Sequence, residues 1–269
     1  MARHREDQQA HDGRSRGTSN SDRAPRERTI AISQEEASSL LENADIKAYE
    51  LMPSGSNYTF MVLMSMEGRG DFLAIYKPQR GERPLWDFPQ GTLHRREHAA
   101  YIASRHLGWP NIPVTVIREG PFGIGSVQLY IPVRRGAELP ALQNQQKPDL
   151  AEIALFDLLA NNADRKAGHC LPGIDGRIWA IDHGLTFNVV PKMRTVLWDY
   201  WGKPIPQRLL ERLKAFRDNQ AQCRSLRSDL ETDLQPEEID AFFNRIEKSL
   251  RSKRFPRLDP NRNIPWPIV

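Results

Sequence analysis

Two aspartates in the second half of the chain lie in polar segments next to apolar runs. Asp164 lies in the polar loop 161–169, and Asp182 follows the short apolar run 178–181. A carboxylate at the end of such a strand can face a cleft and bind a hard cation through its oxygens. For either aspartate alone a turn or a cap is the commoner role, so its meaning depends on the residues that accompany it.

Two features of the first half could contact phosphate. Ser54, Gly55 and Ser56 form a turn of small residues, which lets backbone amides approach phosphate oxygens, although most such turns only connect strands. Lys77 ends an otherwise apolar strand, where an inward lysine needs a negative partner and an edge lysine points to water. A small-residue turn, a strand lysine, a loop aspartate and a strand-end aspartate, in this order, are what phosphoryl transfer requires.

The small-residue turn and Lys77 are predicted to lie among strands. The chain after Asp164 is predicted to be mostly helical. Ser33 and Glu36 form a capping box, which predicts a helix ending near Asn43. Alternating apolar residues bounded by turn signals predict strands, and apolar residues at helical spacing predict helices. The predicted strands are 46–51, 58–66, 71–76, 114–118, 126–133, 169–171 and 178–181, and the predicted helices are 94–107, a helix from about 150, 207–217 and 236–250.

The predicted elements divide the chain into three parts and indicate the α+β class. Residues 1–32 are predicted to be a disordered tail, because 1–29 contain no Leu, Ile, Val or Phe. Residues 33–132 are predicted to form an antiparallel, β-rich lobe. Residues 133–269 are predicted to form a mainly helical lobe that ends with the C-terminal helices.

Composition excludes several classes of protein. The formal net charge of +4 is small and partly due to the N-terminal tail, so no nucleic-acid partner is expected. No apolar run exceeds five residues, against the roughly 20 of a membrane-spanning helix, so no transmembrane segment is expected. With two cysteines and no apolar leader, we expect a cytoplasmic location.

The ordered motifs resemble the phosphoinositide 3/4-kinase superfamily, most closely the type II phosphatidylinositol 4-kinase-like proteins, of which the chain would be a bacterial member. The resemblance implies a bilobal protein-kinase-like fold that binds ATP with Mg²⁺ or Mn²⁺ between its lobes. It covers about residues 45–200. The residues that carry it are Ser54–Ser56, Ala74–Pro78, Gly125–Tyr130, Asn162–Arg165 and Ala180–Phe187.

The resemblance implies a nucleotide site in the first lobe. Lys77 would contact the α- and β-phosphates. An acidic residue would orient this lysine, with Glu97 as the first candidate and Glu82 as the second. The remaining nucleotide contacts would be the phosphate turn Ser54, Gly55 and Ser56 and a hinge for adenine formed by Leu129, Tyr130 and Ile131.

The resemblance places the reaction in the second lobe. Asp164 would orient or deprotonate the acceptor hydroxyl, and Asp182 would hold the metal ion. Lys166 would neutralise the transferring phosphate, with a solvated loop side chain as the alternative. His169 replaces the metal-binding asparagine of the family. Because imidazole prefers softer ions than Mg²⁺, this replacement indicates either a preference for Mn²⁺ or the loss of one metal ion.

Three activities remain open at this point. The first is transfer of the γ-phosphate of ATP to a hydroxyl acceptor, which can be a lipid, a protein or a small molecule. The second is a pseudokinase, a nucleotide-responsive module that binds a protein partner, and the third is AMP transfer. The insert 79–93 has no cysteine to acylate, so peripheral membrane contact is not expected. His94, His98 and His106 are expected to be exposed helix residues.

Overall fold

An antiparallel sheet of five strands carries Lys77. The computed structural model describes residues 32–53, 57–134, 136 and 148–265. The strands are β1 (Asp45–Leu51), β2 (Phe60–Met66), β3 (Gly70–Pro78), β4 (Thr115–Gly120) and β5 (Gly123–Leu129). Their order in the sheet is β1, β2, β3, β5, β4, so β3 is the central strand and pairs with β2 on one side and with β5 on the other.

The alternation of side chains along β3 directs Lys77 towards the interior of the protein. Ala74 and Tyr76 are fully buried on one face of the sheet. Because successive side chains of a strand point to opposite faces, Ile75 and Lys77 lie together on the other face. The turn before β3 ends at Gly70, whose φ of 78° lies in the left-handed region that favours glycine.

Two helices pack against this sheet. The first is α1 (Gln34–Asn43), which starts at the predicted cap, where Ser33 Oγ accepts a hydrogen bond from the Glu36 N–H at 3.1 Å. The second is α2 (Leu93–Leu107), which packs against β4 and β5 and ends at Gly108 with a φ of 74°. Both helices were predicted from the sequence, and both predictions are confirmed.

The histidines of α2 are not exposed, and this prediction was wrong. His94 is 2% exposed, and the side chains of His98 and His106 are 22% and 18% exposed. The physical reason is that the C-terminal part of the chain covers α2 beside His98 and His106, and the insert before α2 covers His94, so each imidazole contacts a carboxylate. The partners of these histidines are Glu82, Asp233 and Asp229, respectively.

The second half of the described chain is mainly helical. Its elements are α3 (Pro148–Ala160), β6 (Cys170–Pro172), β7 (Ile178–Ala180), α4 (Gln207–Asp218), α5 (Gln220–Leu230) and α6 (Pro236–Ser252). Ten of the thirteen residues of α3 are buried, as expected for a helix surrounded by other elements. β6 and β7 form an antiparallel pair, and β6 begins directly after the loop that contains Asp164. α5 was not predicted from the sequence.

These elements confirm the predicted α+β class, with a β-rich first part and a helical second part. The described residues from Ser33 to Pro265 form one compact unit. The lobe boundary at residue 133 stays a prediction, and the predicted tail 1–32 lies outside the described residues except for Ile32. Within the described ranges, none of the helices has both the length and the apolar character needed to cross a bilayer.

Candidate active site

A cleft with a volume of about 520 Å³ brings together the candidate residues from both halves of the chain. The turn Ser54, Gly55 and Ser56 lies outside the described residues. The candidates that line the cleft are Lys77, Glu82, Glu97, Leu129, Tyr130, Ile131, Asp164, Lys166, His169 and Asp182.

Lys77 lies between two carboxylates. Its Nζ contacts Glu97 Oε1, and it donates to Asp182 Oδ1 at 2.9 Å. Burial would lower the pKa of Lys77, but the charges of Asp182 and Glu97 outweigh burial and raise it above its ordinary value. The lysine is therefore a fixed positive charge that joins β3, α2 and the segment after β7.

Glu82, the second candidate partner of Lys77, has a different role in the structure. Its two carboxylate oxygens accept the N–H groups of Leu93 (3.1 Å) and His94 (2.9 Å), so it caps the N-terminus of α2. Its Oε1 also contacts Nδ1 of His94 at 2.8 Å. The structure thus places Glu97, not Glu82, against Lys77.

Glu97 connects Lys77 with the backbone beside Asp182. Its side chain is 3% exposed, and its Oε2 accepts the N–H of His183 at 2.9 Å. Burial raises the pKa of Glu97, while the Lys77 ammonium opposes this rise. One carboxylate therefore fixes both the lysine and the residue that follows Asp182.

Asp182 has a backbone conformation that few non-glycine residues adopt. Its φ is 59°, in the left-handed region. Its Oδ1 accepts from Lys77, and its Oδ2 lies 3.1 Å from Nε2 of His169. Although burial acts in the opposite direction, the charge of Lys77 holds the pKa of Asp182 well below its usual range. The carboxylate is thus ionised, and its side chain remains 45% exposed to the cleft.

His169 is neutral, and its Nε2 lies close to Oδ2 of Asp182. Burial lowers the pKa of His169 to about 4. Its Nδ1 accepts the N–H of Lys166 at 3.4 Å, so the ring proton is assigned to Nε2, which faces Asp182. In this arrangement Nε2 has no lone pair free for a metal ion, and metal binding by His169 would require the other tautomer.

Asp164 also lines the cleft and is paired with Lys166. Its Oδ2 lies 3.2 Å from Lys166 Nζ, and its backbone N–H donates to Asn162 Oδ1 at 2.9 Å. Burial raises the pKa of Asp164 to about 6, and Lys166 opposes the rise. Asp164 is therefore ionised at neutral pH but is a stronger base than an ordinary aspartate.

A buried arginine that the sequence did not reveal fixes both aspartate segments. Arg165 is fully buried and forms a bidentate pair with Asp157 of α3, at 2.8 and 2.9 Å. Its Nη1 donates to the carbonyl of Ile181 at 2.7 Å. Arg165 thus follows Asp164 in sequence and holds the residue that precedes Asp182.

The segment 129–131 leaves one backbone donor available to a ligand. The N–H of Leu129 donates to Val114 O at 2.8 Å, and the N–H of Tyr130 donates to Leu73 O at 3.2 Å. Within the described part of the chain, the N–H of Ile131 has no hydrogen-bond partner, and Ile131 lines the cleft. A ligand that presents a hydrogen-bond acceptor could bind there.

The donor set of the cleft can hold a divalent cation only together with a ligand. In the described ranges, no cluster of three or more His, Cys, Asp or Glu side chains could hold a metal by itself. Mg²⁺ is commonly bound by one or two carboxylates plus the phosphates of its substrate. The partly exposed carboxylate of Asp182 fits this mode of binding.

Comparison with known proteins identifies one relative in sequence and related folds in structure. No model of a known protein family matches the chain. The structure of hydra Fam20 with sugar has a TM-score of 0.58 at 16% identity, covering 81% of this chain and 88% of that one. The Golgi casein kinase has a TM-score of 0.49 at 15% identity, covering 84% and 79%. The likeness to the Fam20 structure shows that the fold is kinase-like, as predicted.

The sequence relative matches most of the chain, and the match covers most of the relative. Protein Rv2133c of Mycobacterium tuberculosis is 36% identical over 263 residues, which cover 85% of this chain and 94% of the relative. Membership of the phosphoinositide-kinase superfamily stays a prediction. The chain belongs to the same family as Protein Rv2133c.

Proposed function

We propose that this chain binds ATP with Mg²⁺ or Mn²⁺ in the cleft and transfers the γ-phosphate to a hydroxyl acceptor. The observation that carries the proposal is the contact of Lys77 with both Glu97 and Asp182, from three different elements, in a cleft that Asp164 also lines. The kinase-like fold is consistent with this activity but does not by itself establish it.

The dimensions of the cleft suit a nucleotide. Its volume of about 520 Å³ lies within the range of roughly 300–1,000 Å³ that is usual for small-molecule sites. The N–H of Ile131 would donate to the adenine, and Lys77 would contact the α- and β-phosphates at the other end. The lysine is held in place before the nucleotide arrives, which reduces the entropy lost on binding.

Asp182 is the residue that would hold the cation, together with phosphate oxygens. When bound, the cation would neutralise the charge of the phosphates. The chain itself contributes an ionised, partly exposed carboxylate, whose direction is fixed by the bonds on the residues before and after it. Asp182 can therefore bind the cation beside the phosphates without a change in its backbone conformation.

Asp164 would accept the proton of the acceptor. The acceptor oxygen forms a bond to the γ-phosphorus, the bond between this phosphorus and the β–γ bridging oxygen breaks, and ADP leaves. The hydroxyl proton passes to the Asp164 carboxylate, whose pKa of about 6 leaves it ionised at neutral pH. Lys166, which contacts Asp164, lies where it could neutralise charge on the transferring group.

One observation favours the pseudokinase as the second candidate. Nε2 of His169 lies 3.1 Å from Oδ2 of Asp182, and Lys77 donates to Oδ1, so both oxygens of the carboxylate that would hold the metal already have a close neighbour. In that case nucleotide would bind without turnover, and the acceptor would be replaced by a protein partner.

A transfer assay with matched variants tests the proposal. The protein is incubated with ATP labelled at the γ-phosphate, with Mg²⁺ or Mn²⁺, and with lipids, lysate protein or small polyols. Transfer that is lost in Asp164→Asn and Asp182→Asn, but kept in Asp45→Asn, would support the kinase. Asp45 is a suitable control because its side chain is 76% exposed on β1 and does not line the cleft.

The remaining outcomes separate the alternatives. A rise in melting temperature with ATP but no transfer would favour the pseudokinase, because a ligand that binds only the folded state stabilises it. A product whose mass increases by an adenylyl group would indicate AMP transfer. If neither a labelled product nor a thermal shift with ATP appeared, or if Lys77→Ala left the thermal shift unchanged, the assignment of the cleft would be wrong.

A further inference from the structure

Arg96 lies next to Glu97 in α2 and is almost completely buried, with 1% of its surface exposed. Its Nη1 donates to the carbonyl of Thr186 at 2.6 Å, and its Nη2 contacts Glu238 Oε1. Its guanidinium also lies over the ring of Phe88, 5.0 Å from the ring centre. An arginine buried to this degree is rare unless its charge and donors are satisfied, and here they connect three separate parts of the chain.

Thr186 belongs to the turn that follows Asp182. Its Oγ donates to the carbonyl of His183 at 2.6 Å, so residues 183–186 form a closed turn. Glu97 accepts the N–H at the start of this turn, and Arg96 donates to the carbonyl at its end. Two consecutive residues of α2 therefore hold both ends of the turn beside Asp182.

Glu238 fixes the other side of Arg96. It lies in the first turn of α6, is 8% exposed, and its Oε2 accepts the N–H of Gln235 at 3.1 Å. This bond caps α6, so Oε1 faces Arg96 in a defined position. The arginine and the glutamate are 142 residues apart in sequence, and α6 contributes none of the residues that line the cleft.

We propose that Arg96 and Glu238 are positioning residues. They fix α2 against the turn 183–186, so that Glu97 and Asp182 contact Lys77 simultaneously. This inference rests on the proposed function for its effect on transfer. It makes α6, the last helix of the described chain, one of the elements that set the geometry of the cleft. Neither residue touches the nucleotide or the acceptor, and both act through Glu97 and Asp182.

A merely structural role would have a different consequence. If Arg96 and Glu238 only attached α2 to the C-terminal helices, other side-chain contacts between α2 and these helices would be equivalent to theirs. His106 and Asp229 form a hydrogen bond between α2 and α5, at 2.7 Å, and neither residue contacts the turn 183–186. Asp229→Asn is therefore a matched control for Glu238→Gln.

The test measures the accessibility of Lys77 without using activity. Wild type, Glu238→Gln, Arg96→Lys and Asp229→Asn are treated with an amine-reactive reagent, and the modification rate of Lys77 is followed by mass spectrometry. In wild type, contact with Glu97 and Asp182 protects the Lys77 amine. We expect Glu238→Gln and Arg96→Lys to accelerate its modification about tenfold, which corresponds to about 1.4 kcal/mol. Asp229→Asn is expected to leave the rate unchanged.

Kinetics give a second readout that a structural role would not move. For Glu238→Gln we expect kcat to fall about tenfold while the KM for ATP changes less than threefold, with Asp229→Asn near wild type. Equal labelling rates and equal kcat in Glu238→Gln and Asp229→Asn would overturn the inference. If wild type transfers no phosphate, the proposed function fails, and the labelling comparison still decides whether Arg96 and Glu238 position Lys77. Glu238→Gln keeps the cap acceptor, so it serves if Arg96→Lys does not fold.

Discussion

Replacing Lys77 with methionine tests the pairing at the centre of the cleft without depending on any activity. Methionine keeps much of the length of the lysine side chain but removes its charge. Glu97, with 3% of its side chain exposed, would then be buried without a counter-ion. Removing one partner of a buried ion pair is strongly destabilising, because the other charge remains uncompensated.

The free-energy cost of the unpaired Glu97 charge has an upper bound, because Glu97 can take up a proton. With an ordinary pKa of 4.5, protonation costs about 3.4 kcal/mol at pH 7 and about 0.7 kcal/mol at pH 5. We therefore expect the unpaired charge of Glu97 to contribute up to about 3.4 kcal/mol to the stability lost in Lys77→Met at pH 7, and much less at pH 5. Above pH 4.5 the folded variant binds more protons than the unfolded chain, so its stability falls as the pH rises.

Urea unfolding of four proteins measures this effect. They are wild type, Lys77→Met, Glu97→Gln and the double variant, each at pH 5 and pH 7. The double variant has no buried glutamate charge, so we expect it to lose the additional pH dependence. Its loss of stability at pH 7 is expected to be smaller than the sum of the single losses by about 2 kcal/mol.

Glu82→Gln is the control in the same background. Glu82 also lines the cleft, but its carboxylate is bonded to the N-terminus of α2. It is therefore expected to leave the pH dependence of Lys77→Met unchanged. A loss of stability that is equal at pH 5 and pH 7, or one that Glu82→Gln relieves and Glu97→Gln does not, would refute the pairing of Lys77 with Glu97.

Three further outcomes can be measured directly. If Asp164 accepts the proton, transfer should fall about tenfold between pH 7 and pH 5, with half-maximal rate near its pKa of about 6; an acid limb near pH 4 would contradict this role. Burial raises the pKa of Cys170 to about 12, so in Cys223→Ser the remaining thiol should resist maleimide at pH 8 until urea unfolds the chain, and labelling of the native protein would be contrary evidence. Ser33→Ala should lower the stability by about 1 kcal/mol in denaturant titration, because it removes the cap of α1; no change would show that the cap is replaced.

Much of the site could be predicted because its residues lie at the ends of apolar segments. Lys77 ends a strand and Asp182 follows one, so local sequence patterns indicate both residues without knowledge of the fold. The choice between Glu97 and Glu82 could not be made in this way. It depends on how the insert 79–93 turns back, which places one carboxylate at the N-terminus of α2 and the other one turn inside it.

The residues that hold the site in place could not be predicted, because their partners are distant in sequence or were indicated only as part of a helix. Arg96 contacts Glu238, and no local pattern relates the two. Arg165 pairs with Asp157, which the sequence indicates only as a position on a helix. α5 was missed because only Leu226 and Leu230 of its eleven residues are buried, which is too weak a pattern to indicate a helix.

The long chain separation between the groups that meet at Lys77 also bears on how the protein folds. Three of the four strand pairs in the sheet join strands that are consecutive in sequence, whereas Lys77 and Asp182 are 105 residues apart in sequence. Contacts between distant residues require closure of a long loop, which slows their formation. We therefore expect the cleft to assemble after the sheet, late in folding. Substitutions at Lys77 or Asp182 should then accelerate unfolding and leave the folding rate almost unchanged, as stopped-flow measurements can determine.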